Sequence, residues 1–113
     1  MPATKSLKLA SGQLKSGVNS TGPIGIRPDH SLDGHVAVNV TELKGTNAKL
    51  QLDLLWGHDG EQFVPADPPD YIELTEATGV VKHFTFKAPY FLLHERVTGT
   101  RASVTRDIHI QYS

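Results

Sequence analysis

No cysteine occurs among the 113 residues, so neither a disulfide scaffold nor a cysteine-ligated metal centre is open to this chain. Long apolar runs are missing too. No window approaches the roughly 20 apolar residues of a membrane-spanning helix. The opening Met1-Pro2-Ala3-Thr4-Lys5-Ser6 holds no apolar core of signal-peptide type. A soluble protein made and kept without export is the expectation, with no membrane partner. Helical periodicity is absent over any useful length, which leaves strands as the building element. Lysine and arginine are absent between Leu50 and Val81.

What is present is ordinary in amount and uneven in arrangement. Hydrophobic residues make up 38% and charged residues 20%, close to globular averages, so wholesale disorder is excluded and one domain with a real core is expected. Lys5, Lys8, Lys15 and Arg27 outnumber Asp29 and Asp33 through Gly34. From His35 to Gly79, Lys44 and Lys49 face Glu42, Asp53, Asp59, Glu61, Asp67, Asp70, Glu73 and Glu76. The remainder is basic again, with Lys82, Lys87, Arg96, Arg101 and Arg106 against Glu95 and Asp107. Segregated charge of this kind suits head-to-tail or complementary docking. Acidic solvated loops are the plainer reading.

The stretch from Val36 to Trp56 organises the chain. Val36, Val38 and Val40 share one parity, and Leu50, Leu52, Leu54 and Trp56 share another run of the same kind. Side chains alternate across a strand, so each run is a half-buried strand with one apolar face. Lys44-Gly45-Thr46-Asn47 between them predicts a turn, and the pair together a β-hairpin. Further along, Phe84 and Phe86, then Phe91, Leu93 and Val97, then Val104, Ile108, Ile110 and Tyr112 repeat the alternation. Gly57–Glu61, the proline-rich 65–70, Thr78-Gly79, Ala88-Pro89 and Thr98-Gly99-Thr100 read as the breaks between. The expected fold is all-β, an antiparallel β-sandwich of jelly-roll or immunoglobulin-like type with about seven to nine short strands. Residues 1–28, polar and rich in glycine, read as an N-terminal arm or edge strand, and residues 29–113 as the sandwich domain. The predicted core is Val36, Val38, Val40, Leu50, Leu52, Leu54, Trp56, Phe84, Phe86, Phe91, Leu93, Val104, Ile108 and Ile110. Leu43-Lys44-Gly45-Thr46-Asn47-Ala48-Lys49-Leu50 is echoed by Val97-Thr98-Gly99-Thr100-Arg101-Ala102-Ser103-Val104. This predicts two equivalent hairpins, with chance similarity of two turns as the alternative.

Chemistry-bearing patterns are weak. His30, His35, His58, His83, His94 and His109 show no metal-ligand spacing, although His83 and His94 are expected on neighbouring strands. Asp29-His30-Ser31-Leu32-Asp33-Gly34 resembles the start of a calcium loop, but Val40 occupies the position of the closing carboxylate and Glu42 substitutes only with different geometry. Asp67 and Asp70 form a carboxylate pair on a proline-bounded loop. Asn19-Ser20-Thr21 and Asn39-Val40-Thr41 match a glycosylation acceptor, which carries no weight without secretion. Nucleophile, P-loop and dinucleotide fingerprints are absent, and the basic residues are too dispersed for a nucleic-acid stripe. No catalytic, cofactor-binding or metal residue is expected, no cofactor, no enzymatic activity and no nucleic-acid partner.

Two stretches carry a resemblance. Val36-Ala37-Val38-Asn39-Val40-Thr41-Glu42-Leu43-Lys44-Gly45-Thr46 leads into Leu50-Gln51-Leu52-Asp53-Leu54-Leu55-Trp56 with Asp59-Gly60, and Ala88-Pro89-Tyr90-Phe91 runs to Val97-Thr98-Gly99-Thr100. They resemble a family of small β-sandwich virion proteins of tailed bacteriophages, over the last two-thirds of the chain. The departure is at Gly57-His58-Asp59-Gly60-Glu61, where that family has a turn richer in Ser and Thr. The resemblance implies a virion structural protein assembled in the host cytoplasm. It implies a decoration protein docking on the outer capsid surface, as a trimer or as one monomer per site. A neck or tail component, or a carbohydrate- or receptor-binding module, stays open.

Overall fold

A computed structural model of the chain describes residues 5–25 and 33–112. Six strands carry the fold and no helix occurs among the described residues: β1 (Lys5–Lys15), β2 (Gly17–Gly25), β3 (Asp33–Gly57), β4 (Val64–Leu74), β5 (Gly79–Thr85) and β6 (Tyr90–Tyr112). The fold is an antiparallel β-sandwich. The strand count falls below the expected seven to nine because two pairs of alternating runs are each one long strand, and because the proline-rich 65–70, expected as a break, lies inside the edge strand β4, where a missing ladder donor is tolerated.

Those long strands are β3, of 25 residues, and β6, of 23. They pair along their whole length, Gly34 opposite Tyr112 at one end and Gly57 opposite Tyr90 at the other. Their outer halves belong to different layers. In the first layer β1 pairs with Ser103–Tyr112 of β6, which pairs with the first part of β3, which pairs with β5. In the second, β2 pairs with Tyr90–Val97 of β6, which pairs with Leu50–Gly57 of β3, which pairs with β4. The expected Val36–Trp56 hairpin is therefore corrected. Its two runs do not pair with each other but lie in opposite layers, with their apolar faces meeting across the core.

The reason lies at the echoed segments, which are neither hairpins nor unrelated. They are the bends of β3 and β6, paired to one another with Thr46 opposite Thr100. Gly45 (φ 118°) and Asn47 (φ 54°) on one strand match Gly99 (φ 122°) and Arg101 (φ 53°) on the other. Register shifts fall between Val40 and Glu42 and on both sides of Thr46, and such bulges sharpen local twist and bend a strand. The two ribbons touch at their glycines. A Cβ on Gly45 would stand 2.7 Å from the Ala102 Cα, and one on Gly99 2.8 Å from the Ala48 Cα. Positive-φ residues let each strand turn from one layer into the next without breaking the ladder.

Every residue of the predicted core is buried, and Leu9, Ile72, Leu74, Val97 and Ala102 join it. Aromatic rings stitch the layers. Trp56 of the second layer lies 5.9 Å from Phe84 and 5.8 Å from Phe86, and Phe86 stacks on Phe91 at 5.8 Å. The division expected between residues 28 and 29 lies outside the described residues. Of residues 5–25, the structure describes two edge strands laid in succession along β6, with Leu9 of β1 buried.

Candidate functional surface

Among the described residues the layers leave four strand edges open, those of β1, β2, β4 and β5, and a free edge invites pairing with another chain. Each carries an obstacle. β1 exposes Lys8 and Lys15 and is bulged between Lys8 and Ala10. β2 contains Pro23, with its register broken between Thr21 and Ile24. β4 contains Pro65, Pro68 and Pro69, none of which donates to a ladder. On β5 the obstacle is Lys82, at an inward-facing position between Val80 and Phe84. Its Nζ donates to the Tyr71 carbonyl at 2.9 Å and lies 5.5 Å from the Tyr71 ring centre. An inward charge on an edge strand resists addition of a further strand. The same lysine ties β5 to β4 across the gap between the layers.

The outer faces are less obstructed. On the first layer, register places Ser6, Gln111, His35 and His83 in one row and Lys8, His109, Ala37 and Val81 in the next. Six of these line a shallow hollow of about 370 Å³, namely Ser6, His35, Ala37, Val81, His109 and Gln111. The His35 and His83 rings meet edge to face at 4.7 Å, and Val81 is 67% exposed. On the second layer the outer face presents Gln51, Asp53, Tyr71, Glu73, His94 and Arg96. Gln51 Nε2 donates to Asp53 Oδ1 at 3.2 Å, His94 lies 3.9 Å from Asp53, and Lys49 pairs with Glu73 at 3.8 Å.

The histidines expected side by side, His83 and His94, belong to different layers. The true neighbour of His83 is His35, because the run that pairs with β5 is the first half of β3. Among the described residues no three His, Asp or Glu side chains converge as a metal ion would require. Of the calcium-like loop, Asp29, His30, Ser31 and Leu32 lie outside the described residues. Asp33 accepts a hydrogen bond from Thr85 Oγ1 at 3.2 Å, Val40 is in the core, and Glu42 pairs with Lys44 at 3.3 Å on the surface. Asp70 accepts the Trp56 indole N–H at 3.1 Å and pairs with Lys87 at 3.1 Å, while Asp67 is exposed. Asp70 thus secures the one tryptophan, and Lys87 lies 5.5 Å from that ring. Trp56 is 4% exposed.

A buried charged pair escaped the sequence reading. Glu95 of the second layer and Arg106 of the first both point inward, 0% and 4% exposed. Arg106 Nη2 donates to Glu95 Oε2 at 2.6 Å, and Nη1 donates to the Ser11 and Gly12 carbonyls of β1 at 3.1 and 3.0 Å. Asn19 Nδ2 of β2 donates to the same Glu95 oxygen at 3.2 Å. The signal was present, since Glu95 shares the parity of Phe91, Leu93 and Val97, and Arg106 that of Val104 and Ile108. The pair fastens both N-terminal edge strands to β6.

No family model matches the chain, and no curated protein is similar to it in sequence. Among solved structures, the chain is similar to one of the Bacillus endospore appendages, described as a novel family of disulfide-linked pili. The TM-score is 0.52 at 7% identity over 98% of this chain and 87% of that one. It is also similar to a chain of infectious bursal disease virus, Gx strain, with TM-score 0.52 and 18% identity. That likeness covers 98% of this chain and 31% of the viral one, so this chain spans under a third of its length. At such identities the likeness is one of fold.

Proposed function

We propose that this chain is a non-enzymatic structural module that docks by its outer faces onto an assembled protein lattice. In its sharper form, it is a virion protein of a tailed bacteriophage that decorates and stabilises the outer capsid surface, as a trimer or one monomer per site. The observation that carries this reading is the contrast between edges and faces. Among the described residues all four free edges are obstructed against strand addition, while the outer faces present exposed Val18, Tyr71 and Val81. A module of this build binds through a preformed surface. The sequence resemblance points to virion proteins, and the likeness in fold to an endospore pilus and a virus chain is in keeping with a part built into assemblies. Location in the virion, after assembly in the host cytoplasm, follows from the same reading.

A neck or tail position satisfies the same features. The carbohydrate-binding alternative is less well served, because the tryptophan that would make a stacking platform is in the core under Lys87. The test is cosedimentation of the purified chain with empty heads from the phage whose genome encodes it, beside a glycan array. Saturable binding to heads with no glycan enriched is expected. Glycan binding without attachment to heads or tails would overturn the proposal.

A further inference from the structure

We infer that His35 and His83 form an open two-histidine site for a late first-row divalent cation, cupric ion above all, on the outer face of the first layer. The inference goes beyond the structural reading above and does not depend on it. The two residues stand directly opposite each other in the β3–β5 ladder, and side chains so placed in an antiparallel pair start about 4.5–5.5 Å apart. Both are exposed. Their rings meet at 4.7 Å with planes 72° apart. Among the described residues neither ring is engaged in a hydrogen bond, so each imidazole keeps a ring nitrogen available as a donor to a metal. The row they share with Ser6 and Gln111 holds no lysine, arginine or carboxylate. Lys82, next to His83 in sequence, points the other way and is engaged with Tyr71.

The spacing fits coordination of both rings to one ion. A metal–nitrogen bond of about 2.0 Å sets a ring centre roughly 3.2 Å from the metal. Two such rings at a right angle about the ion have centres about 4.5 Å apart, and at the tetrahedral angle about 5.2 Å. The observed 4.7 Å lies between them. The ladder fixes both side-chain origins before any ion arrives, so binding has little left to order. Imidazole suits copper, nickel and zinc, and affinity peaks at copper(II), which accepts a tetragonal set of nitrogen and oxygen donors. The converging trio of a closed structural site is absent among the described residues, which leaves the remaining positions to water. His35 lines the hollow of about 370 Å³ with Ser6, His109 and Gln111, and that hollow gives the waters room. His109 lies one row away, opposite Ala37, and is assigned no bond to the ion. An edge-to-face ring contact by itself gives the same spacing, so metal binding has to be measured directly.

Isothermal titration calorimetry of copper(II) chloride into the full chain, in a weakly coordinating buffer, tests this beside the electron paramagnetic resonance spectrum of the loaded protein. One ion per chain is expected in the tightest phase, with hyperfine splitting from two imidazole nitrogens. His35→Gln and His83→Gln should each weaken that phase about tenfold or more, since each removes one of two donors. His109→Gln should leave it unchanged, and nickel(II) chloride should bind the same pair more weakly than copper. Circular dichroism checks that each variant is folded, and the nitrogen count on the wild type decides the matter without any variant. Copper binding to the wild type no tighter than to the variant lacking both His35 and His83 would reduce the pair to a ring contact and overturn the inference. So would a spectrum with a single coupled nitrogen, or a tight phase abolished by His109→Gln.

Discussion

Arg106 reaches Glu95 of its own strand across the interior, Nη2 to Oε2 at 2.6 Å, because β6 bends between them and carries one residue in each layer. The remaining guanidinium and carboxylate contacts go to β1 and β2, so one buried ion pair holds four strand segments in register. Removing one partner from such a pair leaves a buried charge uncompensated, and Glu95→Ala or Arg106→Ala should cost about 3–5 kcal/mol. Replacing both by Leu and Met should recover much of that loss. Deleting residues 1–20 strips Asn19 and the Ser11 and Gly12 carbonyls from the pair, so it should lower the melting temperature rather than leave the core untouched. Chemical denaturation of the four proteins checks this. A double variant no better than the singles would contradict it.

The bends make a second prediction. Gly45→Ala and Gly99→Ala force a side chain onto a positive-φ backbone and into the facing ribbon. Each should cost on the order of 1–3 kcal/mol or more. Gly79→Ala, whose new Cβ would meet nothing closer than 3.7 Å, is the control. Equal midpoints for all three in urea would show that the bends are not tightly packed.

Leu52, 2% exposed, faces the opposite layer. Its truncation to Ala should cost about 2–5 kcal/mol, the usual range for a buried leucine. The exposed Val18, at 64%, should lose under about 0.5 kcal/mol on the same change. Matching losses at the two sites would mean that the inward face has been misassigned.

Lys82 is expected to act as an edge guard. Lys82→Val removes the inward charge of β5 and frees the Tyr71 carbonyl, leaving an apolar edge of the kind that aggregates. Light scattering on heating should rise earlier than for the wild type, with little change in circular dichroism beforehand. Unchanged scattering would assign the guarding of that edge to something else.

A turn sets a pH dependence. The backbone N–H groups of Gln62 and Glu61 both donate to Asp59 Oδ1, at 3.0 and 2.9 Å, and hold its carboxyl below the ordinary value of 3.8. A depressed folded-state pKa stabilises above the unfolded value and fades as pH falls through the folded one. Asp59→Asn should therefore be less stable than the wild type near neutrality. The difference should begin to shrink as pH falls through about 4, the unfolded-state value, and vanish only below the depressed folded-state value, where the wild-type carboxyl is protonated in both states. Thermal midpoints of the two proteins across that range decide it, and a constant offset would rule the turn out as the cause.

Alternation by itself determined which residues are inside. Val36 through Val40, Leu50 through Trp56 and Phe91 through Ile110 read inward because a pleated strand has only two faces, and that rule is local. The same parity placed Glu95 and Arg106 inward, and only their charge hid them. What parity cannot convey is which strand lies beside which. Gly45 and Asn47 permit a hairpin reversal, and equally permit a long strand to bend and carry on. The choice was made by the matching pair at Gly99 and Arg101, whose ribbon packs against the first with a glycine facing an alanine on each side. That contact joins residues more than fifty positions apart, and through it His83 came to lie beside His35 rather than His94. The surface chemistry depends on this pairing, so it was decided by tertiary structure alone.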